Sequence, residues 1–233
     1  MNKITLGYFD LARAISGRLL ELQGYHLPQS ILLLREQFLR LEQDRPRMAY
    51  NTGSISLATG LQLFMLACHF QPRTIFEVGT FLGKSTTALA FGAGWGSASG
   101  ATIYTCDKDN ECYLPQDVSG CRVIGNSKTT SSAALERALD DGIEIDLFFI
   151  DGRLQEADMP LVAELSHPET VFLLDDFVGV EKGVVNAMAL RRQFPQLMLL
   201  PPFNNPQVEK LGVLDTHCLA MLLAPSALLL TPQ

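Results

Sequence analysis

Short apolar runs alternate along this chain with longer segments in which apolar residues recur at helical spacing. From about residue 74 onward, seven runs rich in β-branched and aromatic residues predict strands: 74–79, 101–107, 121–125, 145–151, 170–176, 197–203 and 213–224. The first five are almost wholly apolar, which is typical of strands covered on both faces, and the segments between them are long enough for crossover helices. The pattern predicts a doubly wound, mostly parallel seven-stranded sheet of the α/β class.

The two ends of the chain depart from this alternation. The linker NNPQVEKLG between the last two runs is too short for a crossover helix, so we expect these runs to form an antiparallel hairpin at one edge of the sheet. Residues 1–70 instead carry helical patterns interrupted at Gly24, at Pro28 and at the turn 44–47. They predict an N-terminal helical extension that packs, makes a subunit contact or covers a site. The α/β domain would span 71–233.

Composition and charge narrow the class of protein. The chain has 233 residues, of which 47% are hydrophobic and 18% charged, enough to bury a sizeable core. Its formal net charge of −7 disfavours nucleic acid and anionic lipid as partners. Its five cysteines form no CxxC pair, which fits a reducing cytoplasm. Because Asp10 and Arg13 interrupt the N-terminal segment and no apolar stretch is long enough, we expect no signal peptide and no membrane span.

The sharpest local signal is a glycine turn at 77–86, EVGTFLGKST, which follows the first predicted strand and begins a helix. A P-loop has four residues between its glycines, whereas three separate Gly79 from Gly83, and the carboxylate of Glu77 would repel a triphosphate. A dinucleotide turn requires glycine where Phe81 stands. A P-loop-like nucleotide-binding protein stays an alternative, because the GKS sequence and the LFFID strand end resemble P-loop elements.

S-adenosylmethionine is the third ligand that such a turn can hold. It has no phosphate, and its sulfonium and amino-acid end require a close backbone, a carboxylate and a small polar residue at the helix start. Its ribose requires an acidic residue at the tip of the second strand, and Asp107 supplies one.

The motif EVGTFLGKS resembles the E-[LIV]-G-x-x-x-G-x-S first motif of class I methyltransferases. The similarity is greatest to the metal-dependent O-methyltransferases related to catechol O-methyltransferase and to the cephalosporin-biosynthesis methyltransferases. It covers several separated motifs over about residues 50–224. It implies a Rossmann-like methyltransferase fold and S-adenosylmethionine-dependent, Mg²⁺-assisted methylation of a small-molecule hydroxyl, in a protein that we expect to be a homo-oligomer.

Site residues follow from this resemblance position by position. Cofactor contacts fall on the glycine turn, the tip of the second strand, the segment after the third strand and the fourth strand end: Glu77, Gly79, Thr80, Phe81, Ser85, Asp107, Ser127 and Asp151. Asp107 would bind the ribose and Ser127 would lie along the adenine. Asp151, Asp175 and Asp176 would bind Mg²⁺, and Asp151 is the predicted catalytic residue.

These aspartates all end predicted parallel strands, so their side chains should meet at one crevice. Carboxylates held close together raise one another's pKa unless a cation neutralises them, and Mg²⁺ prefers oxygen ligands. A bound metal would act as a Lewis acid and as a template for vicinal oxygens. In the structural alternative, Asp176 caps the following helix and Asp151 begins a turn.

One position departs from the family pattern. Relatives place Lys or His three residues after the first metal-binding Asp, whereas this chain has Leu154, which cannot accept a proton. Arg153 is always protonated, although it could pair with an anionic substrate. The general base is unassigned, and a non-catalytic protein that keeps the methyltransferase fold is the second alternative.

Overall fold

The computed structural model of the chain describes residues 27–50, 53–95, 100–112, 114, 117–178, 180–200, 202 and 219–225. Two predicted segments lie outside the described residues: residues 1–26 of the helical extension, and the whole linker NNPQVEKLG of the edge hairpin together with the first half of the run that follows it. None of the described helices combines the length and the apolar character that a membrane span requires.

Helices and strands alternate along the described chain. The helices are α1 (Leu27–Leu41), a 3₁₀ helix (Glu42–Arg47), α2 (Leu57–Phe70), α3 (Lys84–Ala93), α4 (Ser131–Asp140), α5 (Asp158–Leu165) and α6 (Lys182–Gln193). The strands are β1 (Thr74–Val78), β2 (Thr102–Asp107), β3 (Asp117–Val118), β4 (Cys121–Ser127), β5 (Ile145–Ile150), β6 (Ser166–Leu174), β7 (Met198–Leu200) and β8 (Ala220–Leu223).

The strands form one sheet in the order β3-β4-β2-β1-β5-β6-β8-β7. Strands β4, β2, β1, β5 and β6 are parallel, whereas β8 pairs antiparallel with both β6 and β7. The predicted doubly wound sheet with an antiparallel edge is therefore confirmed, and each of the seven predicted runs contains a strand. Two features were not predicted: the two-residue strand β3 at the opposite edge, and the insertion of β8 between β6 and β7.

Both faces of the sheet are covered by helices. Along β1, Ile75 packs in one hydrophobic cluster while Phe76 and Val78 pack in the other, because successive residues of a strand point to opposite faces. The first cluster contains buried side chains of α1, α2 and α3, and the second contains those of α4, α5 and α6. Double coverage explains why the strand runs are apolar at nearly every position.

Helix α2 is buried over most of its length and belongs to the same cluster as the central strand β1. Ser56 caps its start by accepting a hydrogen bond from the N–H of Thr59 at 3.1 Å. Leu34 and Phe38 of α1 are buried in that cluster too. The described part of the N-terminal segment therefore packs onto the sheet, while the division of the chain at residue 70 stays a prediction.

The parallel strands place their carboxyl ends along one rim of the sheet. The connections after β1 and β5 run in opposite directions from the centre, so the crevice between these two strands is the position where open α/β sheets bind ligands. The glycine turn follows β1, Asp107 ends β2, Asp151 follows β5 and Asp175 follows β6. The topology thus gathers the sequence-predicted residues at one rim.

Candidate functional site

Two adjoining cavities open at this rim, and both are lined by Tyr50, Gly79 and Asp151. The large cavity, of about 290 Å³, is also lined by Gly53, Ser54, Phe81, Asp175, Asp176 and Lys182. The small cavity, of about 140 Å³, is also lined by Val78, Cys106, Asp107, Lys108, Thr129, Ser131, Gly152 and Arg153. Together they form a concave, mixed polar and apolar site of the kind that holds small ligands.

Gly79 joins the two cavities because it brings bare backbone to their common boundary. Its φ is +99°, and a Cβ atom there would lie 3.0 Å from the carbonyl carbon and oxygen of Asp151. Its N–H donates to the carbonyl of Cys106 at 2.9 Å, and the N–H of Thr80 donates to the same oxygen at 3.2 Å. The turn is therefore held between the ends of β2 and β5.

Several predicted cofactor contacts lie beneath the turn and line neither cavity. Glu77 is fully buried, and its carboxylate accepts hydrogen bonds from the hydroxyls of Thr86 and, at 2.5 Å, Thr105. Burial raises the pKa of Glu77 to about 6, against the lowering effect of hydroxyl groups on Ser85, Thr105 and Thr86. Ser85 is also buried, and the Thr80 hydroxyl lies 2.6 Å from that of Thr105. These residues stabilise the turn from below.

Asp107 lines the small cavity and fastens the loop after β2 to the glycine turn. Its Oδ1 accepts from the backbone N–H groups of Asp109 at 2.9 Å and Asn110 at 2.8 Å, and its Oδ2 accepts from the N–H of Phe81 at 2.8 Å. A carboxylate oxygen has two acceptor sites, so Oδ2 keeps capacity for a ligand hydroxyl. Ser127 lies outside both cavities, where its hydroxyl accepts from the N–H of Cys112 at 2.7 Å.

An aromatic stack covers the glycine turn. The rings of Tyr50 and Phe81 lie 4.8 Å apart and nearly parallel, and the guanidinium of Arg45 lies 5.3 Å from the centre of the Phe81 ring. Phe81 adopts φ +42°, a left-handed conformation that the turn imposes. Because Tyr50 lines both cavities, its ring forms part of the wall between them.

Lys84 suggested the P-loop alternative, and it points away from the cavities. Its ammonium binds Glu42 at 2.5 Å and lies 5.2 Å from the centre of the Phe38 ring. Hydrogen bonds from Arg45 and Lys84 lower the pKa of Glu42 to about 2, with Arg45 the stronger influence. Lys84 therefore ties α3 to the N-terminal helices.

Lys182 is the charged residue closest to the predicted aspartates that the sequence analysis missed; Lys108, Thr129 and Ser131 of the small cavity were not predicted either. Its Nζ lies 2.6 Å from Oδ1 of Asp151, 2.6 Å from the carbonyl oxygen of the same residue and 3.0 Å from Oδ2 of Asp176. Burial opposes its charge, but the carboxylates of Asp151 and Asp176 raise the pKa of Lys182 above its usual range. Burial and Asp175 raise the pKa of Asp151, and the ammonium opposes that rise.

The architecture is similar to that of solved methyltransferase structures. A Klebsiella pneumoniae protein assigned as an O-methyltransferase matches with a TM-score of 0.54 and 19% identity, over 78% of this chain and 86% of that one. A Bacillus cereus O-methyltransferase in complex with SAH matches with a TM-score of 0.53 and 19% identity, over 82% and 90%. A Geobacter sulfurreducens methyltransferase matches with a TM-score of 0.50 and 14% identity, over 80% and 88%. No family model matches the sequence, and no curated protein matches it significantly.

The chain has a class I methyltransferase fold. Within this methyltransferase fold, the predicted site residues divide into two groups. Gly79, Phe81, Asp107, Asp151, Asp175 and Asp176 line the cavities, whereas Glu77, Thr80, Ser85 and Ser127 do not. The second group would therefore act on a ligand through the turn and the loops that it supports.

The predicted Mg²⁺ ligands do not fit a resident divalent ion. All three aspartates line the large cavity, but two of them bind the Lys182 ammonium. Among the described residues, no three or more His, Cys, Asp or Glu side chains are arranged so that they could hold a metal ion. Two unit charges 4 Å apart repel by about 4 kcal/mol near a protein surface, and a divalent ion doubles this value. An ion among these carboxylates would have to displace the ammonium.

Leu154 does not lie in either cavity. Its side chain packs against the hydrophobic cluster beneath α6, and its N–H donates to Oδ1 of Asn186 at 3.2 Å. Arg153 lines the small cavity together with Asp151, whereas Asp175 and Asp176 line only the large one. The position where relatives carry a base is thus part of the packing between β5 and α6.

Proposed function

We propose that this protein is an S-adenosylmethionine-dependent methyltransferase that methylates a hydroxyl group of a small molecule. The observation that carries the proposal is the pair of joined cavities at the carboxyl ends of β1, β2 and β5. One cavity is lined by an acidic residue suited to a ribose, and the other by three carboxylates and an aromatic wall. The bare backbone of Gly79 lies where the two cavities meet.

The residues of the small cavity suit the nucleoside end of the cofactor. Asp107 Oδ2 would accept hydrogen bonds from the ribose hydroxyls, since it has one protein donor and one remaining acceptor site. The backbone of Gly79 leaves space at the junction, and the Tyr50 ring beside it presents a π face of the kind that attracts cations such as a sulfonium. When bound, the cofactor supplies an electrophilic methyl group.

The large cavity would hold the methyl acceptor. Tyr50 and Phe81 offer it an apolar wall, and Asp151, Asp175 and Asp176 offer oxygen atoms that accept its hydroxyl protons. Holding two reactants in line contributes about 7–11 kcal/mol to lowering a barrier of this kind. As the new C–O bond formed, the bond between the methyl carbon and the cofactor sulfur would break and S-adenosylhomocysteine would leave. The hydroxyl proton would pass to a carboxylate of the large cavity.

Assistance by Mg²⁺ is implied only by the family resemblance, and the contacts of Lys182 with Asp151 and Asp176 oppose it. The roles of the individual cofactor contacts stay predictions. Whether the aspartates bind a metal ion or the Lys182 ammonium can therefore be measured directly.

Calorimetric titration with S-adenosylhomocysteine tests the proposal. Wild type should bind, and Asp107→Asn should bind about 10-fold to 100-fold more weakly, because a hydrogen bond to a charged group contributes about 1.5–3 kcal/mol. Asp140→Asn is the matched control, since Asp140 is an exposed acid at the end of α4. The absence of binding by a folded wild type would refute the proposal.

A screen with labelled methyl donor against phenols, sugars and hydroxy acids then tests catalysis. The packing of Leu154 in place of a base favours a second candidate, a non-catalytic protein that binds the cofactor. Binding of S-adenosylhomocysteine together with a blank screen across all three acceptor classes would favour this candidate, and a methylated product would reject it.

A further inference from the structure

The ammonium of Lys182 uses all of its hydrogen-bonding capacity within the site. It has three N–H donors, and three acceptors lie within reach: Oδ1 and the carbonyl oxygen of Asp151, each at 2.6 Å, and Oδ2 of Asp176 at 3.0 Å. The lysine side chain is 26% exposed and that of Asp151 18% exposed, so this is a largely enclosed pair. An ammonium so bound already offsets part of the negative charge of carboxylates that would otherwise repel one another.

The start of α6 holds Lys182 in this position. A Cβ atom at Gly183 would lie 2.1 Å from the carbonyl oxygen of Asp175, so the absence of a side chain lets the helix approach the end of β6. One turn further along the same helix face, buried Asn186 donates to the carbonyl of Gly152 at 2.8 Å and accepts from the N–H of Leu154. The first turn of α6 is therefore fastened to the loop after β5 at two levels.

We infer that Lys182 is a built-in cation that replaces the divalent ion expected among Asp151, Asp175 and Asp176. It acts as a positioning residue: it binds Asp151 and Asp176 and orients them at the wall of the large cavity, so that the site needs no metal. The role of Lys182 as the cation of the site follows from its contacts with Asp151 and Asp176 alone. Its consequence, metal-independent methyl transfer, rests on the proposed function.

Titration of Mn²⁺, a stand-in for Mg²⁺, followed by electron paramagnetic resonance tests the inference on the full chain. Wild type should show no specific site up to about 1 mM, the weak end of protein sites for hard cations. Lys182→Met removes the charge and keeps much of the stem, so it should bind one Mn²⁺ at least about 10-fold more tightly than wild type. Lys182→Arg keeps the charge and should behave like wild type.

A double variant tests whether the Mn²⁺ affinity gained by Lys182→Met comes from the aspartates of the large cavity. Lys182→Met combined with Asp176→Asn should lose the gained Mn²⁺ site, while circular dichroism verifies that each variant is folded. A specific Mn²⁺ site in wild type that Asp151→Asn removes would overturn the inference, and so would a folded Lys182→Met that gains no affinity. If Lys182→Met does not fold, wild type and Lys182→Arg decide the question, because a tight site in either contradicts it.

The two proposals fail in different measurements. Mn²⁺ titration reports on the carboxylates without cofactor, whereas calorimetry with S-adenosylhomocysteine reports on the nucleoside site without metal. A wild type that binds S-adenosylhomocysteine and also binds Mn²⁺ at Asp151 refutes only the built-in cation. A wild type that binds neither refutes only the methyltransferase proposal.

Discussion

Single residues of this site act through burial as much as through contact. Glu77 is the clearest example, because a fully buried carboxylate supports the glycine turn without reaching either cavity. Its pKa of about 6 lies above the ordinary 4.5, so folding favours its protonated form. Glu77, which the motif predicts to contact the cofactor, supports the glycine turn from beneath through its hydrogen bonds to Thr86 and Thr105.

This burial predicts a pH-dependent stability. The folded state binds more protons at Glu77 than the unfolded state between pH 4.5 and about 6, so the free energy of unfolding should fall as the pH rises through this window. Compared with Glu77→Gln, wild type should lose about 1–2 kcal/mol between pH 4.5 and pH 7. Urea denaturation of both proteins at pH 4.5 and pH 7 measures the difference. Parallel profiles would show that Glu77 does not titrate in this range.

The Tyr50 ring makes a second residue-level prediction. Tyr50→Ala removes the stack on Phe81 and should weaken S-adenosylhomocysteine binding by about 0.5–1.5 kcal/mol, whereas Tyr50→Phe keeps the ring and should bind like wild type. Calorimetry on the two variants separates the contribution of the Tyr50 ring to binding from that of its hydroxyl. Equal loss in both would assign the effect to the hydroxyl instead.

At the level of elements, a row of phenylalanines joins the central strands to α6. Phe76 on β1, Phe148 on β5 and Phe172 on β6 are register partners across neighbouring strands, and their ring centres lie 5.7 Å and 5.1 Å apart. Phe194, just after α6, continues the row at 5.4 Å from Phe172. The row packs the sheet against the helix whose first residue is Lys182.

Truncation in the middle of this row should be costly. Phe148 is almost fully buried, so Phe148→Ala should lower the free energy of unfolding by about 3–5 kcal/mol. Val180→Ala is a control, since Val180 is 89% exposed and should change stability by less than about 0.5 kcal/mol. Urea denaturation measures both, and a small loss for Phe148→Ala would mean that the cavity collapses.

The 3₁₀ helix after α1 connects the N-terminal segment to the site. Arg45 lies over Phe81, and Glu42 binds both Arg45 and Lys84 at the start of α3. These contacts place the described part of the predicted extension beside the glycine turn. Its expected role as a lid or subunit contact stays a prediction.

At the level of the whole molecule, topology turns scattered aspartates into one site. Strands β2, β1, β5 and β6 lie side by side in the sheet, so the residues at their carboxyl ends meet at one rim. For example, the Phe81 N–H donates to the Asp107 carboxylate although the two residues are 26 positions apart in the chain. The expected homo-oligomer stays a prediction, which sedimentation analysis would test directly.

Ligand binding at this rim should stabilise the whole fold. S-adenosylhomocysteine at 100 times its dissociation constant should add about 2.7 kcal/mol and raise the melting temperature by about 5–10 °C. Mg·ATP should give no shift, because Lys84 faces the N-terminal helices. Differential scanning fluorimetry separates the two ligands, and a shift with Mg·ATP alone would favour the P-loop alternative.

Chelation makes the corresponding prediction for metals. Excess EDTA should change neither the melting temperature nor the affinity for S-adenosylhomocysteine, because the Lys182 ammonium already occupies the position between Asp151 and Asp176. Lys182→Met should instead respond to added Mg²⁺ with a higher melting temperature. A wild type that EDTA destabilises would contradict this expectation.

The sequence by itself determined seven of the eight described strands, the fold class and the glycine turn. Apolar runs covered on both faces and a turn with glycine at position 79 are local patterns, and each is legible without knowledge of its neighbours. It also identified Asp107, Asp151, Asp175 and Asp176, because residues that end parallel strands meet at one rim.

Only the tertiary structure decided what these residues contact. Lys182 meets Asp151 across 31 positions of chain because α6 approaches the end of β6 closely, and no spacing rule encodes that approach. Burial of Glu77 and insertion of β8 between β6 and β7 likewise depend on how separate elements pack. Local patterns specify elements, whereas the charge balance of a site follows from long-range packing.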